Sequence, residues 1–312
     1  MARRELGPAA LEVAQAVAAL LPAGEVVVGV SGGADSLALA LGAQWAAARS
    51  GTVVRCVVVD HGLQAGSADV AAAVVRRLDD RGVHAEVRRV AVDLAAGEGL
   101  ESAARDARLD ALAADGVPVL LGHTLDDQAE SVLLGLLRGS GVRSLAGMAQ
   151  VRPPFLRPLL TIRRATTHLA CREWGIEHWS DPHNTDDRFA RVRVRNHVGA
   201  LGEALGRDVA PALARSAALA RIDADYLDGL ALGVGAKALD GRDLRADVAD
   251  LPDAIRLRVV RDWLAAHGVE PLGMVHLQAV DALVTSWKGQ GPVDLPGARV
   301  HRSDGTLHVT RV

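Results

Sequence analysis

Residues 26–36, VVVGVSGGADS, constrain the fold of this chain more than any other stretch. The segment 26–30 is apolar and rich in β-branched valine, which predicts a buried parallel strand. A tight loop, residues 31–36, follows it, and the Ala/Leu-rich segment 37–48 predicts a helix. A strand, a glycine turn and a helix N-terminus build an anion site, because backbone N–H groups and the positive helix end point at one spot. The sequence therefore predicts a phosphate-binding loop.

The residues of this loop restrict which phosphate-containing ligands it can bind. It has neither the Lys-Ser/Thr pair of the common P-loop nor the GxGxxG pattern of dinucleotide-binding folds. Ser31 and Ser36 offer hydroxyls, Gly32 and Gly33 let the backbone approach closely, and Asp35 adds a carboxylate. A carboxylate beside phosphates is unfavourable unless a divalent cation bridges them, so we expect Mg²⁺ at Asp35. The alternative is a glycine turn with a serine N-cap and nothing bound. The loop resembles the SGGxDS signature of PP-loop ATP pyrophosphatases, which split ATP between its α and β phosphates.

Strands and helices alternate along the first half of the chain. Residues 52–60, 84–92 and 117–121 predict further strands, and residues 68–81 and 100–114 predict helices. This alternation indicates an α/β fold with a doubly wound parallel sheet. Ligands of such sheets lie beyond the C-terminal ends of the strands. The loops SGGADS, DHGL (60–63) and GHT (122–124) should therefore converge on one crevice.

The helix after the fourth predicted strand begins with an acidic turn. Thr124 can cap this helix, with Asp127 returning the bond. Asp126, Asp127 and Glu130 crowd within two turns, where like charges repel, and a cationic ligand would offset the repulsion. The alternative is an acidic first turn stabilised by the helix dipole alone. We expect the leucines to form the buried face: Leu133, Leu134, Leu136 and Leu137.

The charge of the chain is unevenly distributed. The formal net charge is −3, yet the segment from Arg138 to Arg195 contains eleven arginines against five acidic residues. This concentration indicates a localised surface for a polyanion, with scattered surface ion pairs as the alternative. Residues 179–195 predict a loop that leads into Arg191, Arg193 and Arg195. In an extended segment these three arginines would lie on one face and suit successive phosphates, whereas in a helix they would scatter.

Cysteine usage and hydropathy exclude several classes of protein. Cys56 and Cys171 lie far apart and form no CxxC pair, so neither a disulfide framework nor a zinc site is indicated. No apolar run approaches the roughly 20 residues of a membrane span. We expect a cytoplasmic protein without a membrane partner. The N-terminal segment predicts a surface helix.

Several motifs, taken in order, resemble those of the tRNA(Ile)-lysidine synthetase family. They are SGGADS, DHGL, ESAAR (101–105), GHTLDDQAE with LLRGSG, LAGM (145–148), RPLL (157–160) and WSDPHNTDDRFARVRVR (179–195). The resemblance covers residues 26–198 and implies an adenine nucleotide α-hydrolase-like fold. It further implies that ATP adenylates the C2 oxygen of the wobble cytidine in the CAU-anticodon isoleucine tRNA, releasing pyrophosphate. The ε-amine of free L-lysine would then attack C2 and expel AMP.

The resemblance also implies roles for individual residues. Asp127 and Glu130 would bind lysine, and Arg105 and His123 would face the reacting centre; with Asp35 they form the expected catalytic set. Asp35 would hold Mg²⁺. The tRNA would contact Arg191, Arg193 and Arg195. ATP would bind at Val30, Ser31, Gly32, Gly33, Asp35, Ser36 and His61.

The sequence departs from the family pattern at two places and changes character near residue 206. Gln64 follows DHGL where the family usually has arginine, and no proline follows the arginine-rich run. Residues 1–205 are the predicted catalytic domain. Residues 206–312 are the predicted tRNA-positioning domain, of mixed α and β structure, with helices over 209–232 and 251–268. The end of the chain alternates apolar and polar residues around a hairpin turn at Asp304-Gly305.

Two other functions compete with this interpretation. A related PP-loop tRNA thiolase would need catalytic cysteines, for which Cys56 and Cys171 are poorly placed. A nucleotide-binding module without chemistry would have no use for Asp127 and Glu130. A homodimer is left open.

Overall fold

Two units make up the chain in the computed structural model, which describes residues 6–62, 66–91, 100–139, 141–179, 190–270 and 272–312. At residues 100–102, 190 and 191 only the backbone is described. The first unit comprises Met1–Arg138 and Gly147–Ala217, and the second comprises Gly139–Ala146 and Ala218–Val312. The first unit thus ends at residue 217. The boundary after residue 205 remains a prediction about functional domains.

A six-stranded sheet forms the centre of the first unit, in the order β3-β2-β1-β4-β6-β5. All neighbouring strands are parallel except β5 and β6, which are antiparallel. The predicted parallel sheet is confirmed. The pair β5 and β6 was not predicted, because strands of two residues show no periodic pattern. The strands are β1 (Glu25–Val30), β2 (Val53–Asp60), β3 (Ala85–Arg89), β4 (Val119–Leu120), β5 (Val151–Arg152) and β6 (Phe155–Leu156).

Helices cover both faces of this sheet. In β1, Val26 and Val28 pack into a core with α1, α2, α3 and α7, while Val27 packs on the opposite face with Leu112 of α4. This two-sided burial is typical of a doubly wound fold. The predicted N-terminal surface helix, α1, has a buried face of its own that includes Val13. The helices in chain order are α1 (Pro8–Ala18), α2 (Ala34–Ser50), α3 (Ser67–Asp79), α4 (Leu100–Ala113), α5 (Leu125–Leu137), α6 (Gly141–Leu145), α7 (Arg164–Trp174), α8 (Ala190–Ala204), α9 (Ala210–Ala238), α10 (Asp253–Ala266) and α11 (Met274–Thr285).

The predicted buried face of α5 is wrong for two of its four leucines, while Leu133 and Leu134 are half-buried. Leu136 and Leu137 are 55% and 71% exposed. The buried positions are instead Gln128, Ala129, Glu130, Val132 and Gly135. A helix turns about 100° per residue, so adjacent leucines cannot all share the stripe that positions 128, 132 and 135 form. The inward face of α5 therefore carries small and polar residues.

The extended conformation predicted for the arginine-rich run is also wrong. Residues 190–204 form the helix α8. Val192 and Val194 are buried, and the segment continues into good helix formers at Ala200 and Leu201. Helical geometry places positions 191 and 195 on one face and position 193 on the other. The three arginines therefore do not form one row.

The second unit is an antiparallel sheet packed with helices, as predicted for a mixed domain. Its strand order is β7-β8-β11-β10-β9. Leu264 of α10, Leu283 of α11 and Val300 of the sheet lie in its core. Asp304 and Gly305 both have positive φ (48° and 78°), which confirms the predicted hairpin turn. The strands are β7 (Leu239–Asp240), β8 (Asp243–Arg245), β9 (Val293–Leu295), β10 (Ala298–Ser303) and β11 (Thr306–Arg311).

Among the residues that the structure describes, none of the helices is long and apolar enough to cross a membrane.

Candidate active site

The serines of the SGGADS loop form hydrogen bonds within the loop and do not cap the helix that follows it. The Ser31 N–H donates to Ser36 Oγ (3.1 Å), and the Ser36 hydroxyl donates to the Gly33 carbonyl (2.9 Å). Gly33 is the N-cap of α2 and provides no side-chain cap. The first N–H groups of α2 are therefore not taken up by a capping side chain. This arrangement disfavours the alternative of a serine-capped turn and suits an anion.

Two glycines allow the loop to pack closely. Gly32 has a φ of +85°, and a Cβ built there would lie 2.6 Å from Val74 Cγ2. A Cβ on Gly122 would lie 3.1 Å from the Asp35 carbonyl oxygen. The GHT loop thus presses its backbone against the SGGADS loop. Because β2, β1 and β4 are neighbours, the three loops that follow them leave the same edge of the sheet.

The DHGL motif contains one residue with a structural role, Asp60, and one candidate ligand contact, His61. Asp60 is buried and accepts a hydrogen bond from the Gly62 N–H (3.0 Å). Hydrogen bonds from Ser67 and Gly62 hold the pKa of Asp60 below its ordinary value. Burial, with a contribution from Arg108, lowers the pKa of His61. Asp60 therefore fixes the backbone at Gly62, and the residue between them, His61, is a neutral imidazole. The neighbouring Gln64 lies outside the described residues.

His123 lies in a buried, positively charged environment. Burial lowers its pKa, and the charges of Arg157, Arg108 and Arg105 act in the same direction, while Asp127 opposes them. His123 is therefore neutral at physiological pH. Within the described part of the chain its Nδ1 is buried without a hydrogen-bond partner, as is that of His61. The structure thus brings Arg105 within electrostatic reach of His123, together with Arg108, which was not predicted from the sequence.

Asp127 and Thr124 form the predicted capping box. The fully buried Thr124 donates from both its N–H and its hydroxyl to Asp127 Oδ2 (2.7 Å each). The Asp127 N–H returns a bond of 3.4 Å to Thr124 Oγ1. Burial alone would raise the pKa of Asp127, but Arg164 and the two bonds from Thr124 outweigh it and hold the pKa below its ordinary value. Asp127 is therefore an ionised carboxylate with one oxygen committed to the cap.

A single guanidinium joins the predicted acidic residues. The Arg164 side chain donates to Asp127 Oδ1 (2.5 Å), Glu130 Oε1 (3.1 Å) and Asp35 Oδ2 (3.4 Å). Arg164 was not predicted as a site residue, because its only local signal is its place in the arginine-rich stretch. Arginine side chains of the protein thus provide positive charge that the sequence interpretation assigned to a ligand.

Asp35 is held from two sides. Its Oδ1 accepts a hydrogen bond from the fully buried Thr167, and its Oδ2 faces Arg164. Burial raises the pKa of Asp35 to about 6, although the bond from Thr167 opposes the shift. One carboxylate beside an uncapped helix N-terminus fits Mg²⁺, which keeps several waters and bridges phosphates instead of requiring an all-protein cage. Consistently, the described residues contain no cluster of three or more His, Cys, Asp or Glu placed to hold a metal by themselves.

The arginine-rich helix α8 contributes to the same site. Arg195 Nε donates to Glu130 Oε1 (2.8 Å), so Glu130 lies between two arginines. Arg193 is exposed. The side chain of Arg191 and residues 180–189 of the preceding motif lie outside the described residues. A cavity of about 460 Å³ is lined by Glu130 and by further charged residues, among them Arg163, Glu203, Arg207 and Asp208.

The two cysteines play no part in this site's chemistry. Cys56 and Cys171 are both buried and form no disulfide. Burial raises the pKa of each thiol to about 12. Neither thiol is a thiolate at physiological pH, which a thiolase nucleophile would need to be.

Comparison with known proteins identifies the family. Residues 8–201 match the PP-loop domain, and residues 245–308 match the TilS substrate binding domain. The chain is 48% identical to a tRNA(Ile)-lysidine synthase of Cutibacterium acnes over 100% of this chain and 99% of that protein. The chain belongs to the tRNA(Ile)-lysidine synthase family. A further family member, from Rhodococcus jostii, is 49% identical over 97% of this chain and 96% of its own length. The chain is therefore an ATP-using enzyme of tRNA modification.

A solved structure outside the tRNA(Ile)-lysidine synthase family shares the fold. It is the U34-tRNA thiolase NcsA from Methanococcus maripaludis, with a TM-score of 0.54 and 19% identity. The similarity covers 67% of this chain and 76% of that chain. It confirms the architecture of the PP-loop unit and says nothing about the reaction.

Proposed function

We propose that this enzyme attaches L-lysine to C2 of the wobble cytidine in the CAU-anticodon isoleucine tRNA, through an adenylated tRNA. One observation carries the proposal beyond family membership. The loop predicted to hold ATP and the acids predicted to hold lysine lie within reach of one guanidinium, that of Arg164. Two substrates held that close together can react in sequence without leaving the site.

The SGGADS loop and α2 are the proposed ATP site. The uncapped N–H groups at the start of α2 and the hydroxyls of Ser31 and Ser36 would bind the phosphates. Asp35 would hold Mg²⁺, which, when bound, neutralises charge on the phosphates. The neutral imidazole of His61 would lie against the nucleotide.

Asp127 and Glu130 are the proposed lysine site. The described carboxylates of Asp35, Asp127 and Glu130 pair with two guanidinium groups, so among these five side chains one negative charge remains in excess when all three carboxylates are ionised. A substrate ammonium would complete the balance. Attack on C2 requires the ε-ammonium to lose a proton, and these carboxylates are the acceptors nearest to it. AMP then leaves with the C2 oxygen.

His123 and Arg105 are proposed to act at the reacting carbon. Because His123 is neutral, it can donate a hydrogen bond to an oxygen without adding a fixed charge. The guanidinium of Arg105 would stabilise the negative charge that develops there. Arg191, Arg193 and Arg195 are proposed to lie near the tRNA, and the hydrogen bond from Arg195 to Glu130 supports a position for Arg195 beside the proposed lysine site. We further propose a cytoplasmic location, and the choice between a monomer and a homodimer stays open.

The decisive experiment combines the protein with Mg-ATP, labelled L-lysine and the CAU-anticodon isoleucine tRNA transcript. We expect label in the tRNA together with release of AMP and pyrophosphate. The Asp35→Ala variant should lose pyrophosphate release, whereas Glu130→Gln should still release pyrophosphate but require more lysine. Binding of ATP without any incorporation of lysine would refute the proposal. An unchanged lysine requirement in Glu130→Gln would remove Glu130 from the site.

A further inference from the structure

Arg164 occupies the position where the proposed function requires a substrate cation. Its three nitrogens each face a different carboxylate, on Asp35, Asp127 and Glu130. The side chain is 20% exposed, so the pairs are only partly screened by water.

Both oxygens of Asp127 already accept hydrogen bonds, which restricts how an amine substrate can reach this carboxylate. Oδ2 already accepts two hydrogen bonds from Thr124, and Oδ1 is covered by Arg164 at 2.5 Å. An ammonium that approaches Asp127 therefore meets either the helix cap or the guanidinium. Breaking the cap would unwind the start of α5, so the guanidinium is the group that can leave.

The backbone of Arg164 is fixed while its side chain is long. Asp126 Oδ2 accepts a hydrogen bond from the Arg164 backbone N–H (2.8 Å). The Asp126 carboxylate also accepts two hydrogen bonds from the guanidinium of Arg163 (2.9 and 3.1 Å). The start of α7 is thereby anchored to α5. Movement of Arg164 is thus confined to rotation about its side-chain bonds.

We propose that Arg164 is an internal competitor for the amine substrate, which occupies the lysine site until L-lysine displaces its guanidinium from Asp127 and Glu130. The inference rests on the proposed function, because it concerns the same lysine site. Arg164 thereby sets the affinity for lysine. It also excludes cations that bind the carboxylates more weakly than its own guanidinium.

Binding of labelled L-lysine to the free enzyme, measured by equilibrium dialysis, tests this inference. In Arg164→Ala we expect lysine to bind roughly fivefold more tightly or better, because a competing cation has been removed. Millimolar guanidinium chloride should weaken lysine binding to Arg164→Ala by refilling the vacated position, and should leave the wild type unchanged. In the tRNA reaction the KM for lysine should fall without a rise in kcat.

Two further variants separate competition from loss of structure. Arg172→Ala removes an exposed arginine from the same helix and should bind lysine like the wild type. Arg164→Lys keeps a charge but contacts one carboxylate at a time, so its affinity for lysine should lie between the wild type and Arg164→Ala. If Arg164→Ala does not fold, Arg164→Lys carries the test, and an affinity equal to the wild type then overturns the inference.

The outcomes distinguish this inference from the proposed function. Equal or weaker lysine binding by a folded Arg164→Ala that still binds ATP overturns the role of Arg164, even if the wild type makes lysidine. An absence of effect of guanidinium on Arg164→Ala does the same. Failure of the wild type itself to incorporate lysine into the tRNA overturns the proposed function.

Discussion

The buried carboxylate of Asp35 lowers the free energy of unfolding at neutral pH, at a position proposed to bind Mg²⁺. The chain buries a carboxylate beside the predicted phosphate loop, and burial raises its pKa from 3.8 to about 6. Between these values the folded state binds more protons than the unfolded state. The free energy of unfolding therefore falls as the pH rises through this window and stays lower above it.

Replacing Asp35 with asparagine should remove this pH dependence. Asparagine has a similar shape and does not ionise, so we expect Asp35→Asn to be more stable than the wild type at neutral pH by about 2–3 kcal/mol. The difference should shrink as the pH falls to about 4. Urea unfolding of both proteins between pH 4 and neutral pH measures this difference in the free energy of unfolding. Curves of stability against pH that run parallel for the two proteins would contradict the assigned pKa.

Arg193 gives a second prediction at the residue scale. Its side chain is exposed on α8, on the opposite face from position 195. If it contacts a tRNA phosphate, Arg193→Ala should bind tRNA more weakly and reduce the slope of log affinity against log salt by about 0.7–0.9. Equal salt slopes in variant and wild type would indicate ordinary surface charge.

At the scale of elements, the site depends on how tightly two loops meet. Gly122 follows β4, and its backbone lies against the backbone of Asp35 at the start of α2. The contact is backbone to backbone, so neither partner can move aside as a flexible side chain would. The distance between the GHT loop and the phosphate loop is therefore set by the absence of a Cβ at residue 122.

Gly122→Ala should push these loops apart. A Cβ placed 3.1 Å from the Asp35 carbonyl oxygen requires a backbone shift, with an expected cost of about 1–3 kcal/mol in stability and a clear loss of ATP affinity. Gly229→Ala is the matched control, because its Cβ meets nothing within 4 Å and alanine favours the helix α9. Thermal unfolding and calorimetric ATP binding report both effects. Retention of full ATP affinity by Gly122→Ala would show that the loops can separate without consequence.

The elements also show which parts of the fold and site could be predicted from sequence. Patterns within one segment were informative: the valine strand, the glycine loop and the Thr124–Asp127 box follow from local periodicity and capping chemistry. The error at Leu136 and Leu137 was itself local, because residues that follow one another in a helix cannot all lie on its buried face. Arg164 could not be predicted in this way, because its three partners lie on α2 and α5, far from it in the sequence.

At the scale of the whole molecule, each unit has a hydrophobic core of its own. The first core includes Leu39 of α2, and the second includes Leu264 of α10; both side chains are fully buried. Separate cores allow separate unfolding, so a single melting temperature is an incomplete description of the chain.

Leu39→Ala and Leu264→Ala form a reciprocal pair that tests this separation. Each should cost its own unit about 2–5 kcal/mol through the lost apolar contacts and the cavity left behind. Amide hydrogen exchange should then accelerate in the first unit for Leu39→Ala and in the second for Leu264→Ala. Acceleration in both units by either variant would mean that they unfold as one block.

The second unit includes a segment that the ribosome makes long before the rest of it. Gly139–Ala146 belongs to this unit, where Arg143 pairs with Asp225 and Asp228. Arg143 therefore leaves the exit tunnel while the chain that carries its partners is still unsynthesised. The ion pairs of Arg143 can form only after residues 225–228 have been synthesised. The second unit is consequently completed by joining an earlier helix, α6, to the later part of the chain, and is not built from C-terminal residues alone.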